Sequence, residues 1–268
     1  MFAYCLNAST IRPTPILEKI RIAGETGYSA IELWHDEIEA HVSAGGSVAE
    51  LRLAVSDHGL VVPTTIYLRD WFDCSAAEYP VVLDECKRRM EQAAEVGATY
   101  VIASPPSAEA DYDLGAARYR ELLEAGAVAG VTPSMEFLGF VGQFNTIEDA
   151  LEVMEKSGHP DATTILDPFH VFRGGGSVES ISKLSARQIA ISHFNDVPAL
   201  PPREQQHDPD RVMPGDGVFD LKRYIELLRG TGYDSFLSLE LFREDLWQQD
   251  PRDVARIGLE KMRAVVES

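Results

Sequence analysis

Thr132-Pro133-Ser134-Met135-Glu136-Phe137, then Ile147-Glu148-Asp149-Ala150-Leu151-Glu152-Val153-Met154, then Gly158, then Thr163-Thr164-Ile165-Leu166-Asp167: this stretch decides the fold. The outer runs have the length and flanks of strands. Between them Ile147, Ala150, Leu151 and Met154 recur at i, i+3, i+4 and i+7, which is one face of a helix. Gly158 follows as a helix stop. Strand, helix, strand is the unit that builds a parallel sheet, because parallel neighbours need a crossover.

The same rhythm continues in both directions. Strand candidates are Ala3–Asn7, Ala30–Trp34, Val61–Tyr67, Tyr100–Ala103, Thr132–Phe137, Thr163–Asp167, Ile189–Phe194 and Phe236–Leu241. Helical stripes recur at Val82, Cys86, Met90 and Ala93, and at Leu221, Tyr224, Ile225 and Leu228. Gly27, Gly59, Gly97 and Gly232 each close a helical pattern just before a strand. Eight such units predict an α/β fold, a single (β/α)8 TIM barrel occupying residues 1–268 as one domain. An open doubly wound sheet is the alternative, and it lacks the Gly-rich fingerprint expected after its first strand.

Composition limits the partners. The 268 residues carry 24 basic and 43 acidic side chains, a formal net charge of −19. That field repels nucleic acid and anionic membrane and favours a small neutral molecule. No run approaches the roughly 20 apolar residues of a membrane span. Cys5, Cys74 and Cys86 show no paired spacing, and the N-terminus has no secretion signal, so a cytoplasmic enzyme is expected. A homo-oligomer is compatible with all of this.

Barrel chemistry sits where strands run out into the following loops. The last four strands each bring one polar residue there within an otherwise apolar run: Glu136, Asp167, His193 and Glu240. Buried carboxylates are costly without a compensating charge. Three acids and an imidazole gathered together call for one divalent metal ion. An oxygen-rich set without thiolate suits Mn²⁺, Mg²⁺ or Co²⁺, and admits Zn²⁺. Glu32, between Ile31 and Leu33, alternates into the barrel and is expected to serve as a structural hydrogen-bonding group. His207 and Asp208 fall in a Pro-rich segment and are expected to form a solvated loop instead of a second metal site.

Met135-Glu136-Phe137-Leu138-Gly139, Leu166-Asp167-Pro168-Phe169-His170, Ser192-His193-Phe194-Asn195-Asp196, Asp210-Arg211-Val212-Met213-Pro214-Gly215-Asp216-Gly217 and Leu239-Glu240-Leu241-Phe242-Arg243 resemble the xylose-isomerase-like TIM barrels. That superfamily contains sugar isomerases, ketose 3-epimerases and inosose-processing enzymes; the nearest likeness is to the inosose isomerases. The resemblance implies that Glu136, Asp167, His193 and Glu240 bind the metal, with Glu136 and Glu240 also acting as acid and base. It implies substrate contacts for His170 and Arg211. Trp34, His35, Tyr67 and Trp71, on earlier loops, are expected to wall the pocket against sugar-ring faces.

The expected activity is isomerisation of a polyhydroxy-ketone, an inosose or ketose, through an enediolate. The four ligands alone leave 3-epimerisation and lyase or dehydratase chemistry open, and a non-catalytic sugar-binding barrel is the reading of another class. An apurinic endonuclease is opposed by the acidic charge and by strands ending Ile66-Tyr67 and Ala103-Ser104, without histidine. Leu138 stands where dehydroshikimate dehydratases of the superfamily place a histidine.

Overall fold

The computed structural model describes residues 1–106 and 109–268. Eight parallel strands close into a barrel in chain order: β1 Ala3–Asn7, β2 Ala30–Trp34, β3 Val62–Leu68, β4 Ala98–Ala103, β5 Thr132–Met135, β6 Thr164–Leu166, β7 Ile189–His193 and β8 Phe236–Leu239. The pairing of β1 with β8 completes the circle. The helices between them are α1 Ile16–Thr26, α2 His35–Ser43, α3 Val48–Asp57, α4 Tyr79–Val96, α5 Tyr112–Ala129, α6 Ile147–Ser157, α7 Pro168–Gly174 and α8 Leu221–Gly230. α9 Glu244–Trp247 and α10 Pro251–Glu267 end the chain.

The helix that the opening stretch predicts begins with a capping box. The Thr146 hydroxyl accepts from the Asp149 backbone N–H, and the Asp149 carboxylate accepts from that of Thr146. It stops at Gly158, whose φ of 60° is left-handed and suits a residue without a β-carbon. The apolar face of α6 buries Ile147, Ala150, Val153 and Met154 against the sheet. Most of the core lies in this layer between strands and helices. A smaller cluster fills the barrel interior: Ile66, Ile102, Ile165, Ala190 and Ile191.

The last four strands end one or two residues before the sequence pattern predicts. Phe137, Phe194 and Leu241 are fully buried, yet they lie past the strands, in loops folded over the barrel end. Apolarity therefore continues where the hydrogen-bonded ladder stops. The consequence matters for chemistry: Glu136, Asp167 and Glu240 are each the first residue beyond a strand, and His193 is the last residue within one.

Candidate metal centre

Register brings the polar groups together. Asn7 of β1 pairs with Glu32 of β2, and His193 of β7 with Ser238 of β8, so all four side chains enter the barrel at one level. Above them, Glu136, Asp167, His193 and Glu240 each offer one ligand atom, and these atoms lie within 4.8 Å of one another. His193 is the hub. Its Nδ1 lies 3.1 Å from Glu240 Oε2, 3.3 Å from Glu136 Oε1 and 3.6 Å from Asp167 Oδ2. Its Nε2 faces Glu32 Oε2 at 3.5 Å. Both ring nitrogens are buried, and neither has a hydrogen-bond partner among the described residues.

Glu32 is fully buried and accepts hydrogen bonds from Asn7 Nδ2 at 3.2 Å and from the hydroxyls of Thr64 and Ser238. A carboxylate behind a histidine is a common way to fix which nitrogen keeps the proton. Were a cation to take the place of the Nδ1 proton, the proton left on Nε2, facing Glu32, would keep the Nδ1 lone pair on the carboxylate side. Asp167 Oδ1 accepts from the Phe169 N–H at 2.7 Å, capping α7, and from Asn195 Nδ2 at 3.1 Å. Its Oδ2 accepts from Arg211 Nη2 at 3.1 Å.

Electrostatics follow from crowding. Burial drives Glu136 up, Glu240 and Asp167 add to the rise, and the carboxyl stands at about 7 despite His193. Burial would lower His193, but Glu240, Glu32, Asp167 and Glu136 outweigh it and hold the imidazolium well above its ordinary range. Burial, helped by Arg211, lowers His170 to about 4. Asp167 is depressed despite burial, chiefly by Arg211. The cluster thus compensates three acids with one proton and one guanidinium. Three carboxylate oxygens and one imidazole nitrogen, converging around an unpartnered Nδ1, suit a single divalent ion.

A cavity of about 510 Å³ opens over the cluster. Glu136, Glu240, His170 and Arg211 line it, with Asp167 and His193 beneath. Trp34 and Tyr67 also line it, their rings edge-on at 6.0 Å. Arg211 is sandwiched between the rings of Phe169 and Phe242, at 4.9 and 5.1 Å. Its Nη1 lies 3.1 Å from Asp208 Oδ1 and 3.2 Å from Glu240 Oε2, aligned for a hydrogen bond with neither.

Trp71 is a correction. It is fully buried, packs on Phe72 and Tyr119 with centroids 5.1 and 5.9 Å apart, and is absent from the cavity wall. Asp70, at φ 59°, turns the loop so that Phe72 and Asp73 reach the cavity in its place. His35 likewise turns away, its Nδ1 2.6 Å from Gln92 Oε1. Asp208, expected in a solvated loop, lines the cavity and pairs with Arg211; His207 is exposed beside Phe140. Asn7, Asn195, Phe140 and Phe242 were not singled out from sequence. Asn195 and Phe242 lie two residues after His193 and Glu240, and that spacing is the one signal available for them.

Residues 20–265 match the family described as Xylose isomerase-like TIM barrel. The chain belongs to that family. Among its relatives, the inosose isomerase of Bacillus velezensis is 26% identical over 98% of this chain and 96% of its own length. The 3-dehydroshikimate dehydratase of Pseudomonas aeruginosa is also 26% identical, over 91% of this chain but 39% of its own. Among solved structures, the IOLI protein, described with a binding zinc atom, superposes with a TM-score of 0.92 over 99% of this chain and 98% of its own, at 23% identity. That likeness shows a shared barrel fold. No helix among the described residues is long and apolar enough to cross a membrane.

Proposed function

We propose that the protein is a divalent-metal-dependent isomerase of a small polyhydroxy-ketone, an inosose or ketose, working in the cytoplasm as one barrel domain over residues 1–268. The observation that carries this is the convergence of Glu136, Asp167, His193 and Glu240 within 4.8 Å around a buried, unpartnered Nδ1. The Bacillus velezensis inosose isomerase, matched along nearly its whole length, supports the substrate class. The zinc of the IOLI protein supports a divalent ion; Mn²⁺, Mg²⁺, Co²⁺ and Zn²⁺ all accept this donor set.

In this scheme the four side chains hold the ion, and Glu136 and Glu240 are the candidates for exchanging a carbon-bound proton. A divalent ion there supplies Lewis-acid polarisation of the substrate carbonyl, which acidifies the neighbouring C–H. Glu136, at the cavity wall, takes that proton. Arg211 offers fixed positive charge to the substrate oxygen that becomes negative. His170, kept neutral by burial, lines the cavity with Nδ1 3.2 Å from the Gly139 N–H and Nε2 2.9 Å from Arg211 Nη2, and contacts the substrate beside Arg211. Trp34, Tyr67 and Phe242 present apolar faces to the ring and limit water.

Return of the proton to the adjacent carbon is isomerisation. Loss of a β-hydroxyl from the same enediolate would be a lyase reaction, the chemistry named for the Pseudomonas relative. Incubation with inososes and ketohexoses in heavy water, with Mn²⁺ supplied, tests the proposal. Deuterium at the carbon beside the carbonyl and a migrated carbonyl are expected, and Glu136→Gln abolishes both while its melting curve stays cooperative. Full turnover by Glu136→Gln would reject Glu136 as the proton-transferring group, and metal binding with no exchange in any ketose would leave only a sugar-binding barrel.

A further inference from the structure

Glu136 and Glu240 have the same residue type and equivalent places at the ends of their strands, but their surroundings differ. Asn7, fully buried, donates from Nδ2 to Glu240 Oε1 at 3.0 Å and to Glu32 Oε1 at 3.2 Å. Its Oδ1 accepts from Trp34 Nε1 at 3.1 Å and from the Ser9 N–H at 3.0 Å. Two amide protons and two lone pairs are thereby all used. The amide orientation is fixed, since a flip would turn its oxygen onto two carboxylates and its NH₂ onto two donors. Glu240 is left with Oε1 tied to Asn7 and Oε2 turned to His193 and Arg211, at 3.1 and 3.2 Å.

Glu136 has no such tether. Apart from His193 Nδ1, 3.3 Å from Oε1, no donor among the described residues reaches its carboxylate. Its side chain lines the cavity and is 12% exposed, where that of Glu240 is 5% exposed; Oε1 is the oxygen nearer His193, and Oε2 receives no hydrogen bond from the described residues.

We infer that Asn7 is a positioning residue that immobilises Glu240, leaving Glu136 as the single carboxylate that moves carbon-bound protons, so that the reaction runs on one face of the substrate. The inference rests on the isomerase assignment above and deepens it. Glu136 Oε2 takes the proton from the carbinol carbon; the C–H pair becomes the C=C bond of an enediolate, and the carbonyl π pair moves onto oxygen. The same Oε2 then returns the proton to the former carbonyl carbon. The carbinol oxygen becomes the new carbonyl, and its hydroxyl proton passes to the old one. One carbon is oxidised and its neighbour reduced, with no outside reagent. Inversion at the carbinol carbon needs a second carboxylate free on the opposite face, and a tethered Glu240 withholds it.

The test uses the full chain, with Mn²⁺ as the metal and an inosose as the substrate. After partial conversion in heavy water, wild-type substrate should be recovered with deuterium at the carbinol carbon and its configuration unchanged. An epimer forming as fast as the isomer would overturn the inference. Asn7→Ser keeps an acceptor for the Ser9 N–H but lacks the amide. It should bind Mn²⁺ about tenfold more weakly in calorimetric titration, and it should yield epimer that the wild type does not. Wild-type affinity together with wild-type stereochemistry in that variant would also overturn the inference. Should Asn7→Ser fail to fold, the configuration of the wild-type substrate decides alone. Absence of both exchange and carbonyl migration in the wild type would sink the isomerase assignment, while the Mn²⁺ comparison would still decide whether Asn7 tethers Glu240.

Discussion

Replacing Glu32 by Gln keeps the shape of a side chain that touches no solvent but removes its charge. Glu32 Oε1 accepts from Asn7 and Ser238, while Oε2 accepts from Thr64 and faces His193 Nε2. A Gln amide has one acceptor end. With its NH₂ in the Oε1 place, it opposes the Asn7 amide; in the Oε2 place, it opposes a proton on His193 Nε2 and favours moving that proton to Nδ1. The second arrangement blocks the nitrogen that faces Glu136, Asp167 and Glu240. Loss of a partner behind a metal-binding histidine weakens metal affinity by about 10- to 100-fold, or roughly 1.4–2.7 kcal/mol. Calorimetric titration of the metal-free protein with Mn²⁺ at neutral pH reads this directly. An unchanged affinity in a cooperatively folded Glu32→Gln variant would refute the claim that Glu32 sets the His193 tautomer.

Other expectations concern stability. Burial holds His35 at about 4, against an ordinary 6.5, so between those pH values the unfolded chain carries a proton that the folded chain lacks. Its contribution is complete above pH 6.5 and is lost as the pH falls toward 4, a span worth about 3 kcal/mol. His35→Gln should flatten urea-unfolding midpoints over that range, and an identical acid-side slope would contradict it. At Gly126 in α5, an added β-carbon would lie 2.6 Å from the Val131 carbonyl oxygen and 2.5 Å from Pro133 Cδ. Gly126→Ala gains about 1 kcal/mol of helix preference but overpacks at about 1–3 kcal/mol. A Tm lowered by about 2–4 °C is expected by calorimetry; an unchanged or higher Tm would show that the helix end moves freely.

The barrel was legible because its signals are local and repeated. The α6 face, Gly158 and the strand before Asp167 each carry their own periodicity or stop, and eight such units close in chain order. The four converging side chains were legible because acids inside apolar runs stand out. What stayed hidden depends on three-dimensional register. Trp71 looks like any aromatic loop residue, and only the turn at Asp70 decides that Phe72 reaches the cavity instead. Asp208 sits among prolines that suggest solvent, yet Arg211 draws it to the wall. Asn7 carries no motif; its importance comes from pairing beside Glu32 and facing Glu240, 233 residues away in sequence.

Titration of the metal-free protein with Mn²⁺, Co²⁺ and Zn²⁺, followed by melting of each sample, addresses the cluster itself. One ion per chain is expected. At free metal near 1,000 times Kd the gain is about 4 kcal/mol, which raises Tm by about 8 °C at this chain length, and a combined Asp167→Asn, His193→Ala variant should lose both effects. Failure of all three ions to bind, or binding that survives the double substitution, would contradict a metal centre at Glu136, Asp167, His193 and Glu240.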